Sequence, residues 1–112
     1  MSTRQSTLDS VTDATFAAEV LGSDLPVLVE FGASWCPPCR MIEPVLEAIS
    51  SDLADRLRVV TMDTDDQPLT ASALGVLGLP TLHLYVNGVQ VLNLVGAKPK
   101  AMLLRALEPH LG

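Results

Sequence analysis

Cys36 and Cys39 are the only cysteines in this 112-residue chain, and Pro37 and Pro38 separate them. Three chemistries compete for a Cys-x-x-Cys pair. A structural disulfide fits poorly, because the stabilisation a cross-link brings grows with the loop it closes, and this loop is minimal. Structural zinc takes four ligands at compact spacing. The two histidines, His83 and His110, stand at a separation that matches no finger pattern. Reversible thiol–disulfide exchange fits best. At the start of a helix, unpaired N–H groups and the positive end of the helix dipole favour a thiolate on Cys36. That thiolate is a nucleophile toward a disulfide. Cys39, one turn further on, then attacks Cys36 and releases the reduced product. This reading expects the Cys36 sulfur to face solvent.

The elements that must position the pair can be read from apolar spacing. Residues 1–7 are polar and read as a frayed tail, leaving residues 8–112 as a single domain. Residues 8–11 suit a short strand. Thr12 offers a helix cap, Phe16, Ala17, Val20 and Leu21 follow at helical spacing, and Gly22 closes that helix. Residues 27–31 form an apolar, β-branched run of strand length, directly before the cysteine segment. Ile42, Val45, Leu46, Ile49 and Leu53 then mark a helix that Pro44 should kink. Residues 58–63 read as a strand, and Asp66 and Pro68 open a short helix. Residues 81–86 and 89–95 flank Asn87-Gly88 as a hairpin with a tight primed turn. Lys98-Pro99 begins a last helix with Leu103, Leu104, Leu107 and Leu111 on one face. The order is β-α-β-α-β-α-β-β-α, an α/β fold with a central mixed β-sheet and helices on both faces.

Composition narrows the function. Thirteen acidic residues against seven basic give a net charge of −6, which disfavours nucleic acid and anionic membrane surfaces. Residues 67–97 carry no formal charge, but Pro80, His83, Asn87-Gly88, Gln90 and Asn93 interrupt them, so they read as buried strands and not as a membrane span. The first residues have no apolar segment of signal-peptide type. A cytoplasmic protein is expected, in a compartment where such cysteine pairs are catalytic. Glu30 breaks the apolar run 27–31, and burial there would raise its pKa.

From about Leu8 to Leu111 the residues resemble the thioredoxin family. The resemblance rests on Val27-Leu28-Val29-Glu30-Phe31, Ala33-Ser34-Trp35-Cys36 and Pro38-Cys39-Arg40-Met41-Ile42. It continues through Pro44, the Asp-containing loop within residues 59–68, Gly78-Leu79-Pro80-Thr81, Asn87-Gly88 and Val95-Gly96-Ala97. It implies a thioredoxin-like fold and a protein dithiol–disulfide oxidoreductase with Cys36 as nucleophile and Cys39 as resolving thiol. It implies a redox disulfide between the two, Pro80 in the cis form, and Glu30 as proton acceptor for Cys39, through water. It also implies an apolar substrate platform of Trp35, Pro37, Pro38, Leu79, Pro80, Gly96 and Ala97. No bound cofactor or metal is implied. Electrons would come from NADPH through a thioredoxin reductase, and the partners would be that reductase and disulfide-containing proteins, with the chain a monomer. Within the same fold, an exported oxidant or isomerase, and a docking module with incidental thiols, are the competing functions.

Three positions depart from the family's pattern. Pro37 replaces a glycine, so neither Pro37 nor Pro38 has an N–H to offer Cys36, and the Cys39 N–H is left as the local donor. A less stabilised thiolate means a more reducing dithiol. Gly32 replaces a Trp, which removes packing and would loosen the loop. Thr61 replaces a Lys beside the buried carboxylate. His83 reads as a packed or surface histidine, His110 as a complement to a helix C-terminus, and Arg40 as weak support for the thiolate.

Overall fold

A computed structural model describes residues 7–112. Residues 1–6 of the expected tail lie outside the described residues. Thr7 lies within them, and its N–H and hydroxyl both donate to the Glu47 carboxylate, at 2.9 and 2.7 Å.

The elements run β1 (Asp9–Ser10), a π-helical turn (Ala17–Leu21), β2 (Val27–Gly32), α1 (Pro37–Asp52), β3 (Arg58–Asp63), α2 (Pro68–Ala73), β4 (Thr81–Val86), β5 (Val89–Val95), α3 (Lys100–Leu107) and a short 3-10 turn (Glu108–His110). The sheet order is β1-β3-β2-β4-β5. β3 lies parallel to β1 and β2, while β4 lies antiparallel to β2 and β5. β2 is therefore central, and all six of its residues are buried. That is why its sequence reads as a continuous apolar run and not as an alternation.

Alternation along β2 sends side chains to two cores. Leu28 joins Ile42, Leu46 and Ile49 of α1 and Leu103 and Leu107 of α3. Val27, Val29 and Phe31 join Phe16, Val20 of the π-turn and Ala71 of α2 on the other face. Asn87 and Gly88 have φ of 51° and 80°, the two left-handed residues a primed turn needs.

The first helix differs from its expectation. Thr12 does cap the turn: its Oγ1 accepts from Thr15 N–H at 3.1 Å, and Thr15 Oγ1 accepts from Thr12 N–H at 2.9 Å. The regular part is nevertheless a π-turn, closed by Gly22 N–H to the Ala17 carbonyl at 2.9 Å. The wider turn keeps Phe16 and Val20 buried and leaves Leu21 40% exposed.

α2 has no side-chain cap of its own. Asp13 supplies one from a distant loop: its carboxylate accepts from Leu69 N–H at 3.2 Å and Thr70 N–H at 2.8 Å. Gln67 Oε1 reciprocates by accepting from Asp13 N–H at 2.8 Å. Burial pushes the Asp13 carboxyl up, but hydrogen bonds from Thr70 and Leu69 outweigh it and hold the group below its ordinary value. A lowered folded pKa stabilises above the unfolded carboxylate pKa, and that contribution is lost as pH falls through the folded value. Asp13→Ala is expected to cost about 0.5–1 kcal/mol at neutral pH, as for loss of a helix cap. The wild-type and variant stabilities should converge in acid, as urea midpoints measured against pH would report.

Candidate active site

After Gly32 the chain turns through Ala33, Ser34 and Trp35 into α1. Cys36 is the N-cap residue, with φ −90° and ψ 107°, and Pro37 and Pro38 open the first turn. Proline is well placed there, because the first amides of a helix have no intrahelical partner. The next amide, that of Cys39, donates to Cys36 Sγ at 3.3 Å. It is the donor expected once both prolines have removed theirs. Cys36 and Cys39 form a disulfide, with Cα atoms 5.3 Å apart.

The solvent-facing sulfur expected for Cys36 is corrected by the structure. Cys36 is 3% exposed and Cys39 is fully buried. Ala33 packs with both cysteines, and Leu79 closes over them. Cys36 instead forms part of a groove wall. The groove has a volume of about 450 Å³ and is lined by Trp35, Cys36, Pro37, Pro38, Thr64, Ala71, Val76, Leu77 and Leu79.

The Leu79–Pro80 bond is cis. Thr81 Oγ1 donates to the Gly78 carbonyl at 2.6 Å, and Gly96 N–H donates to the Pro80 carbonyl at 2.8 Å. The first bond closes the 78–81 turn, and the second joins it to the loop at Gly96. Of the platform residues named from sequence, Trp35, Pro37, Pro38 and Leu79 share the groove. Pro80 is buried, Ala97 is exposed, and neither they nor Gly96 are in the groove lining.

Trp35 is 63% exposed. Its Nε1–H donates to Asp65 Oδ2 at 2.8 Å. Asp63 Oδ1 steadies the loop that presents Asp65, accepting from the amides of Asp65 at 2.9 Å and Asp66 at 3.2 Å. Asp65, Thr64, Val76 and Leu77 were not singled out from sequence. An Asp-containing loop was visible there, but no local signal says which Asp meets the indole. Arg40 Nη1 donates to the Ser34 carbonyl at 2.7 Å, which ties it to the loop before Cys36. The Gly32 carbonyl accepts from the Thr64 amide at 2.9 Å and the Thr64 hydroxyl at 3.3 Å.

Glu30 is fully buried. By alternation from Leu28 it faces α1, the helix whose buried stripe begins at Cys39. Its neighbours in register are Thr61 on β3 and Leu82 on β4. Thr61 Oγ1 lies 3.1 Å from Ser10 Oγ and brings no charge to this carboxyl.

His83 is on the opposite face of the sheet. It is buried, its ring lies 5.0 Å from that of Phe31, and its Nδ1 is 3.1 Å from the Tyr85 hydroxyl. Burial pushes its pKa down, and burial raises that of Tyr85 to about 12. His83 is a packed histidine, held between Phe31 and Tyr85. Among the described residues no cluster of three or more His, Cys, Asp or Glu could hold a metal ion. Among the same residues no helix is long and apolar enough to cross a membrane.

A redox disulfide at a helix start, in a mixed sheet of this order, defines a dithiol–disulfide oxidoreductase. Comparison with known proteins agrees. The family model Thioredoxin matches residues 7–109. The chain is 47% identical to Thioredoxin 1 of Synechococcus elongatus, over 91% of this chain and 95% of that one. It is 48% identical to Thioredoxin 1 of a Nostoc species, over 90% and 94%. It is 51% identical to the thioredoxin of Streptomyces clavuligerus, over 88% and 91%. The chain belongs to the thioredoxin family, whose members reduce disulfides in target proteins through a Cys-x-x-Cys pair and a mixed disulfide.

Proposed function

We propose that the protein is a cytoplasmic, monomeric thioredoxin with a Cys-Pro-Pro-Cys active site, in which Cys36 is the nucleophile and Cys39 the resolving thiol. One observation carries the order of attack: Cys36 lines the groove, while Cys39 is fully buried behind it. The Cys36 thiolate attacks one sulfur of a substrate disulfide. That bond breaks, and the other substrate sulfur leaves as a thiolate that takes up a proton. Cys39 gives its proton to Glu30, through water, and attacks Cys36 Sγ. The mixed disulfide breaks and the second substrate thiol departs. Two electrons have passed to the substrate, and the chain holds the Cys36–Cys39 disulfide.

Trp35, Pro37, Pro38 and Leu79 hold the apolar part of the substrate, with Pro80, Gly96 and Ala97 shaping the adjoining backbone. Pro80 has no N–H of its own, which leaves that loop open to a substrate strand. The protein itself needs no bound cofactor. NADPH reaches it indirectly, as two electrons delivered by a thioredoxin reductase that reopens the disulfide.

The Cys36 sulfur has the single Cys39 amide as a local hydrogen-bond donor, which favours a reducing pair. Equilibration in dithiol/disulfide buffers should give a reduction potential at or below the roughly −270 mV of thioredoxin. A value near the roughly −120 mV of a strong oxidant would overturn the reductant assignment. In the same preparation, NADPH oxidation should require the reductase, this protein and a protein disulfide together.

A further inference from the structure

Leu77 is 97% exposed, the most exposed of the large apolar side chains among the described residues. A leucine in that position adds nothing to the core, and singly exposed leucines are ordinary. This one is not placed singly. It stands on the wall of the disulfide groove, with Val76 and Leu79 beside it on the loop and Trp35 also in the lining. Trp35 is itself 63% exposed. The backbone on either side is set by glycine. Gly75 has a φ of +72°, and a Cβ at Gly78 would come within 3.1 Å of Val95 Cγ1. Leu77 is thus a side chain held out by a specified loop, and its free surface is available to whatever enters the groove.

The charges around the groove point the same way. None of its nine lining residues is charged. Asp65 accepts from the Trp35 indole, and Arg40 donates to the Ser34 carbonyl. The wall from α2 to β4 belongs to the charge-free stretch 67–97 of a chain whose net charge is −6. A charged substrate residue would lose water there and gain no partner, whereas an apolar one would bury area against Leu77.

We propose that Leu77 is a specificity-determining residue, an apolar lip that selects protein disulfides flanked by apolar side chains. The proposal rests on the groove being the substrate site, as given under the proposed function. Leu77 takes no part in the exchange of sulfur bonds; it touches the substrate residues beside the disulfide.

The test uses two cyclic peptide disulfides of equal length and charge, one with Leu and one with Ser flanking the cysteines. The reduced protein is mixed with each, and the second-order rate is followed by the fluorescence of Trp35, the only tryptophan. The wild type should favour the Leu peptide by about tenfold, the low end for one apolar contact. Leu77→Ser should reduce that ratio to about twofold or less, on the same scale. Leu69→Ser, at an exposed leucine outside the groove lining, should leave it intact. The rate with 2-hydroxyethyl disulfide, which has no flanking side chains, should be the same in the wild type and in Leu69→Ser. A ratio that survives Leu77→Ser, or a wild type without preference, overturns the role of Leu77. A wild type that reduces neither the peptides nor 2-hydroxyethyl disulfide overturns the redox site itself, and the lip with it.

Discussion

Cys36→Ser is expected to abolish reduction of protein disulfides, leaving only the uncatalysed background, while Cys39→Ser performs half a reaction and stops. The asymmetry follows from burial. Cys36 reaches the groove and Cys39 does not. With Cys36 gone, no sulfur on the chain meets the substrate. With Cys39 gone, the first attack proceeds and the mixed disulfide has nothing to resolve it. Folding should not confuse the result, because Cys36 is an N-cap residue and serine is among the best N-caps. Mass spectrometry of each variant incubated with a protein disulfide gives the answer. Cys39→Ser should accumulate a covalent adduct with substrate that dithiothreitol releases, and Cys36→Ser should form none. Adducts on the Cys36→Ser protein would reverse the assigned order of attack.

Glu30→Gln should slow resolution of that adduct by about 10²-fold, the lower range for loss of a general base. The first attack, which does not involve this carboxyl, should keep its rate. Glu30 is fully buried, faces the helix that carries Cys39, and sits beside the uncharged Thr61 and Leu82. Glutamine keeps the shape and removes the proton acceptor. A uniform slowing of both steps would indicate a packing role, and an unchanged resolution rate would remove Glu30 from the proton path.

Much of this site was legible in the sequence because its signals are local. The Cys-Pro-Pro-Cys segment lies between an apolar strand and a helical stripe, and the prolines dictate which amide remains to meet Cys36. Asn87-Gly88 specifies its own turn. Glu30 announces itself by interrupting residues that a buried strand requires to be apolar. These features depend on covalent neighbours and on the periods of strand and helix, so the chain order suffices to find them.

Other features depend on residues that the chain order keeps apart. Nothing local says that β4 lies antiparallel to β2, and that pairing sets Leu82 beside Glu30. The Asp65 contact to Trp35 and the capping of α2 by Asp13 each join distant segments. Leu79, which packs against Cys36, arrives from another loop. The first helix became a π-turn although its apolar spacing suited a regular helix. The sequence by itself determined the elements, the reactive pair and the odd carboxylate, since each is written within a few consecutive residues. Only the tertiary structure decided the groove, its Leu77 lip and the cover over the disulfide, because the crossovers between strands choose which loops share one end of the sheet.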